Sequence, residues 1–209
     1  MTRETVARAS AGLLAAAVLL ALIPPLTYAW SDGRGFLEAI LNMLRMFTII
    51  TNLLVGLVFA RLAWKGSETV SPMIVGGIML AIVLVGVVFN LLLAMLPHQT
   101  VWDAIGDYTH HIAAPILVPL WWLLFSPHGR LRWSDPFLWA LYPLAYSAFT
   151  FLRAHFMPSG TGIHSRYPYF FMDVDQFGLL TVALNLSVIA AGFVIVGMLV
   201  VILDRKLVR

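Results

Sequence analysis

Cysteine is missing from this 209-residue chain, so no disulfide, thiolate nucleophile or iron–sulfur ligand set is available to it. Charge is scarce as well: Asp, Glu, Lys and Arg make up 11% of the residues, against 61% hydrophobic ones. A soluble domain carries about 25% charged residues, so a water-facing surface of this size is excluded. The short catalytic signatures G-x-S-x-G and H-E-x-x-H do not occur. Nor is there an internal repeat, direct or inverted, which argues against a transporter built from repeats.

What fills the chain instead is apolar length. Six long apolar stretches lie near 9–30, 36–63, 72–96, 107–126, 136–156 and 174–203. A helix that crosses the hydrocarbon core needs roughly 20 such residues. The sequence therefore predicts an all-α polytopic membrane protein, six transmembrane helices in one bundle, with residues 1–209 forming a single domain. The net charge of +3 is explained by topology and implies no nucleic acid. Arg3 and Arg8 precede the first span, Arg61 and Lys65 follow the second, and Arg130 and Arg132 separate the fourth and fifth. Arg205, Lys206 and Arg209 form the tail. Basic residues favour cytoplasmic loops, so both termini are expected in the cytoplasm of a bacterium with the protein in its inner membrane. Asp32, Glu38, Asp103, Asp107, Asp173 and Asp175 gather on the opposite face, with Arg34, Arg153 and Arg166. Two arginines, an apolar core and Thr27-Tyr28-Ala29 also fit a cleaved signal peptide, but the length of the apolar stretch favours a retained span broken at Pro24-Pro25.

The connections are short. Ser71 and Pro72 mark a helix start, and residues 126–136 form a basic link. The longest link runs from Met157 to Phe171 with Pro158, Gly160, Gly162 and the run Tyr167-Pro-Tyr-Phe-Phe171. Those rings fit either anchoring at the headgroup level or a lid over a pocket.

Most of the polar residues inside the spans lie in the half of each span away from the basic loops. Asn42, Arg45, Thr48 and Asn52 fall at helical steps along one face of the second span, with Thr51 on its shoulder. An arginine at the centre of a span costs about 2.5–3.5 kcal/mol if it faces lipid, so Arg45 is expected to face the bundle or a counter-ion. The third span adds Asn90. The fourth opens with Asp107, His110 and His111, whose spacing lets the carboxylate reach one imidazole, before Pro115 and Pro119 free backbone carbonyls that need partners. Tyr146, Thr150 and Arg153 follow in the fifth span, and Asp173 stands at the start of the sixth. Shared depth on five helices predicts a polar cavity in the outer leaflet. There a threonine with an oriented histidine could serve as nucleophile and base, and Arg45, Asn52 or Asn90 could hold an oxyanion. A threonine bonded to its own helix backbone is the ordinary alternative.

Five segments in order carry a resemblance. They are Phe47-Thr-Ile-Ile-Thr-Asn-Leu53, His111-Ile-Ala-Ala-Pro115 with Trp121-Trp-Leu-Leu-Phe125, Pro127-His-Gly-Arg-Leu-Arg-Trp133, Tyr142-Pro-Leu-Ala-Tyr146, and Tyr167-Pro-Tyr-Phe-Phe-Met-Asp173. From the second span to the C-terminus the chain resembles a bacterial six-span integral membrane family of unsettled function. That family is distantly similar to the eukaryotic androgen-induced protein family, which includes the androgen-dependent regulator of tissue factor pathway inhibitor. The latter are membrane hydrolases that cleave fatty acid esters of hydroxy fatty acids with a threonine and a histidine. The resemblance implies Thr48 as nucleophile, with Thr51 as the competing register, and His111 or His110 as base. The Thr51-Asn52 pair belongs to the bacterial pattern and departs from the hydrolases.

Two functions of different class follow: an intramembrane hydrolase of lipid esters, or a non-enzymatic protein that binds or transports a lipid or small molecule. Either implies a membrane lipid or lipid-like substrate as partner and no cofactor. A third option is haem or metal on His110, His111 and His155.

Overall fold

The computed structural model describes residues 1–31, 35–93, 100–160 and 165–208. Asp32, Arg34, Gly162 and Arg209, named above, lie outside them, as do the side chains at 28–31. Among the described residues the regular structure is entirely helical. Four helices are long and apolar enough to cross a membrane: Arg3–Thr27, Phe47–Lys65, Pro72–Leu93 and Val174–Lys206. The protein has the build of a membrane protein.

Two compact units emerge. The first comprises residues 1–131 with those from 204 onward, and the second residues 132–203. In the first unit, α1 (Arg3–Leu20) is capped by Thr2, whose hydroxyl accepts the Thr5 N–H. It stops at Ala21, and α2 (Ile23–Ser31) begins with Pro24 and Pro25 in its first turn. These prolines open a helix, because an N–H there has no helical partner to lose. The break expected at Pro24-Pro25 thus falls just before them.

The second stretch departs further from expectation. It is two helices, α3 (Phe36–Met43) and α4 (Phe47–Lys65), separated at residues 44–46. Met46 is extended (φ −90°, ψ 126°) and serves as the N-cap of α4. The single-face stripe of Asn42, Arg45, Thr48 and Asn52 therefore does not exist as one helical face. Arg45 lies in the break, and Thr48 is the second residue of α4.

Helix α5 (Pro72–Val88) starts as its sequence signals, with Ser71 capping and Pro72 in the first turn, and runs into a π-helical turn at Phe89–Leu93. After the Thr100 cap, α6 (Val101–Tyr108), a second π-turn (Thr109–Ala113) and α7 (Ala114–Phe125) follow one another without interruption. Helices α1 and α4 run against each other through small residues. A Cβ on Gly12 would sit 3.5 Å from Ala63, and one on Gly56 would meet Leu19. Small residues allow such close approach where water supplies no hydrophobic drive. Arg8 donates to the last carbonyls of α4, Ala63 and Trp64, at 2.9 and 2.7 Å. Trp121 of α7 donates to Ala7 O (3.0 Å) and presents an edge to Phe59. Trp122, Phe59, Leu62, Ile82, Val118, Val18 and Val55 fill the core.

The second unit holds α8 (Asp135–His155) and most of α9 (Val174–Lys206), which is bent at Gly178, a residue with φ 76° that glycine adopts without strain. Tyr167, Tyr169 and Phe171 are buried, with Tyr169 stacked on Phe171, whereas Phe170 is exposed. Most rings of this loop thus point inward rather than outward to lipid.

Candidate active site

The chemistry converges where α4 begins and the second π-turn passes it. A proline has no N–H to give, so Pro115 cannot bond the carbonyl of His111 four residues earlier. The chain compensates with a wider turn, in which Ala114 N–H reaches back to Thr109 O. Such π-turns recur at functional sites because the extra residue re-aims the side chains around it.

The two histidines of this turn face different partners. His110 is buried, and its Nε2 lies 3.0 Å from Val18 O. That carbonyl lacks its usual helical donor because Leu22 N–H bonds to Leu19 O instead, where α1 ends. His110 therefore satisfies a helix end. His111 is different. Its Nδ1 lies 2.8 Å from the Asp107 carboxylate Oδ1 and 3.1 Å from the Asp107 carbonyl. With two acceptors facing it, Nδ1 is a donor nitrogen of the ring. Nε2 is 3.4 Å from Thr48 Oγ1. The ring is clamped from one side by Phe89, stacked at 3.7 Å and 11°. Asn90 donates to His111 O at 3.0 Å and to Gly86 O at 2.8 Å.

Of the two threonines, Thr48 is the one that meets His111, while Thr51 is buried one turn further along α4. Asn52 is fully buried and turns its amide N–H onto Thr48 O at 3.0 Å. Its Oδ1 has no hydrogen-bond partner among the described residues. Both Asn52 and Asn90 have N–H groups committed to backbone carbonyls, which weakens their expected role as oxyanion donors. Thr48 stands in the first turn of α4, where amide N–H groups lack helical acceptors and the helix dipole is positive. Asn42 and Arg45 are half-buried just before it.

The other expected pocket residues belong to the second unit. Asp173 is buried, accepts the Gln176 N–H at 3.0 Å as the cap of α9, and accepts Ser165 Oγ at 2.7 Å. Arg153 donates to Arg166 O at 3.0 Å. Arg166 grips Asp175 through two nitrogens, at 2.8 and 2.7 Å, and the hydrogen bonds raise the guanidinium above its ordinary pKa. Tyr146 is buried beside Tyr169, and Thr150 is buried with its Oγ1 unbonded among the described residues. These contacts order a loop. His155 is exposed, against Phe156. Among the described residues no three His, Cys, Asp or Glu side chains gather as a metal ligand set.

Sequence reasoning missed Phe89 as the ring that stacks on His111 and Gly86 as the point where α5 meets Pro115. The only signal was Pro115 itself, whose freed carbonyl had to find a donor. Protein-family models, curated proteins and solved structures contain nothing that matches this chain.

Proposed function

We propose that the protein is an intramembrane threonine hydrolase that cleaves lipid esters, of the type in which a fatty acid esterifies a hydroxy fatty acid. The observation that carries this reading is the relay Asp107–His111–Thr48, with 2.8 Å at its first step and 3.4 Å at its second. The same three roles, nucleophile, base and orienter of the base, define acyl-transfer sites on unrelated folds. Nucleophile–base contacts are commonly long before substrate binds.

In the proposed reaction Thr48 Oγ1 bonds to the ester carbonyl carbon and its proton passes to His111 Nε2. Asp107 stabilises the imidazolium. The first-turn N–H groups of α4 face the carbonyl oxygen as it gains charge. Collapse breaks the C–O bond, and the leaving alcohol takes the proton from His111. Water, deprotonated by the same nitrogen, then releases the fatty acid from acyl-Thr48. An ester with two acyl chains reaches such a site without leaving the bilayer.

The reading includes the topology: six spans in one bundle, both termini cytoplasmic, in a bacterial inner membrane. The charge bias of the loops supports it, as does the resemblance to the six-span family. An alkyl fluorophosphonate of long chain tests the chemistry, since Thr48 Oγ1 displaces fluoride from phosphorus while His111 takes the proton. Labelling should map to Thr48 and vanish in Thr48→Ala and His111→Ala. Labelling that persists in both, or is absent from the wild type, removes the proposal.

One observation favours a second reading. The buried Asn52 Oδ1, without a partner among the described residues, suits a bound polar group and hence a non-enzymatic lipid or small-molecule binder. That reading requires intact lipid to co-purify and Thr48→Ala to retain it.

A further inference from the structure

The two π-turns touch through two consecutive side chains of the first, Phe89 and Asn90, both on His111. Pro115 withholds the N–H that would normally occupy His111 O, and in an apolar setting no water is at hand to replace it. The donor comes from α5's own widened end, where Phe89 and Asn90 are consecutive residues of the first π-turn. Asn90 Nδ2 has two hydrogens. One meets Gly86 O at 2.8 Å, and the other crosses to His111 O at 3.0 Å. Its neighbour Phe89 lies flat on the His111 ring at 3.7 Å. The main chain and the ring of one histidine are therefore held by adjacent residues of one turn.

We propose that Asn90 is a positioning residue for His111. It acts through the His111 carbonyl, fixing the rotation of the π-turn so that Nδ1 faces Asp107 and Nε2 faces Thr48. This rests on the assignment of His111 as base, and it moves Asn90 away from substrate contact, since both its N–H groups are committed. The chemistry demanded at position 90 is narrow. Aspartate has no donor, leucine has the shape without the polarity, and glutamine is one methylene too long to serve both carbonyls.

Full-length protein in detergent, carrying 15N-histidine, tests the idea in Asn90→Asp and Asn90→Leu. Ring-nitrogen spectra report the tautomer of His111 directly, with His110 as an internal control on the same turn. The expected result is that His111 leaves the single Nδ1–H form while His110 keeps its signals. The labelling rate of Thr48 by a dodecyl fluorophosphonate should fall on the order of ten- to a hundredfold, as misplacement of a reacting group by an ångström does. A purely structural asparagine would lower the unfolding midpoint without selecting one imidazole. Unchanged His111 signals in a folded variant overturn the proposal. So does wild-type labelling in both variants. If the wild type does not label at all, the hydrolase reading falls, and the His111 spectra still decide the role of Asn90. Should one variant fail to fold, the other carries the comparison.

Discussion

Removing the charge from Asp107 while keeping its shape separates two jobs that a carboxylate performs for a histidine. In Asp107→Asn the side chain can no longer stabilise an imidazolium. The tautomer, however, has a second guardian: the Asp107 carbonyl, 3.1 Å from Nδ1, is main chain and survives the substitution. What disappears is the advantage of a charged over a neutral acceptor at 2.8 Å. Hydrogen bonds to charged groups are worth about 1.5–3 kcal/mol, which converts to roughly a 10- to 150-fold loss of rate. Sites in which the carboxylate alone sets the tautomer lose about 10⁴-fold, so the expected effect here is markedly smaller. The assay is the second-order rate of Thr48 modification by an alkyl fluorophosphonate at neutral pH, with Thr48→Ala as the zero. A loss of about 10⁴-fold would refute the protective role given to the carbonyl. An undiminished rate would refute the relay itself.

Other substitutions probe the surroundings. Gly86→Ala places a Cβ 2.6 Å from Pro115 Cβ and 3.3 Å from His111 O; a proline ring cannot swing aside, so about 1–3 kcal/mol of stability should be lost, read as a lower unfolding midpoint together with slower labelling. Gly56→Ala brings its Cβ within 2.6 Å of Leu19 Cγ and closer still to Cδ2, but that side chain can turn about its first torsion where a proline ring cannot, so it should cost less than Gly86→Ala; the reverse order would contradict the packing. His110→Ala strips the donor from Val18 O and should lower stability by about 1–3 kcal/mol while Thr48 labels at the wild-type rate; loss of labelling would mean the two histidines have been assigned the wrong way round. Asp204 is fully buried and accepts the Leu131 N–H at 2.9 Å, with His128 Nδ1 3.2 Å away. Asp204→Ala should therefore expose residues 126–131 to limited proteolysis, and an unchanged cleavage pattern would show that the clamp is dispensable.

Much of the helical architecture was legible because its signals are local. Ser71-Pro72, Thr100 and the apolar lengths mark helix starts and extents through capping and hydropathy, which need no knowledge of neighbours. The break at residues 44–46 has no such signal. No glycine or proline occurs there, and the apolar pattern continues through it, so the spacing of Asn42, Arg45 and Thr48 gave a stripe that the backbone interrupts. The choice between His110 and His111 was equally hidden. Both lie within reach of Asp107 on an ordinary helix, and which of them meets Thr48 depends on how the helices pack. Pro115 announced that a carbonyl would be left over, but the identity of its donor, 21 residues earlier in sequence, depends on how two helices meet. In the second unit, Arg153 and Asp173 bond to residues 165 and 166 of the loop before α9, partners that depth along a span does not reveal.

The widened turn at Thr109–Ala113 also acts as a phase shifter. One surplus residue rotates everything before it relative to everything after it, so the sequence of 101–108 and that of 114–125 need not share a periodicity. Chemistry on one segment and oil-compatible bulk on the other can then change independently. Excising a single residue between them would reset the phase and swing the imidazole away from its threonine without altering any side chain of the relay.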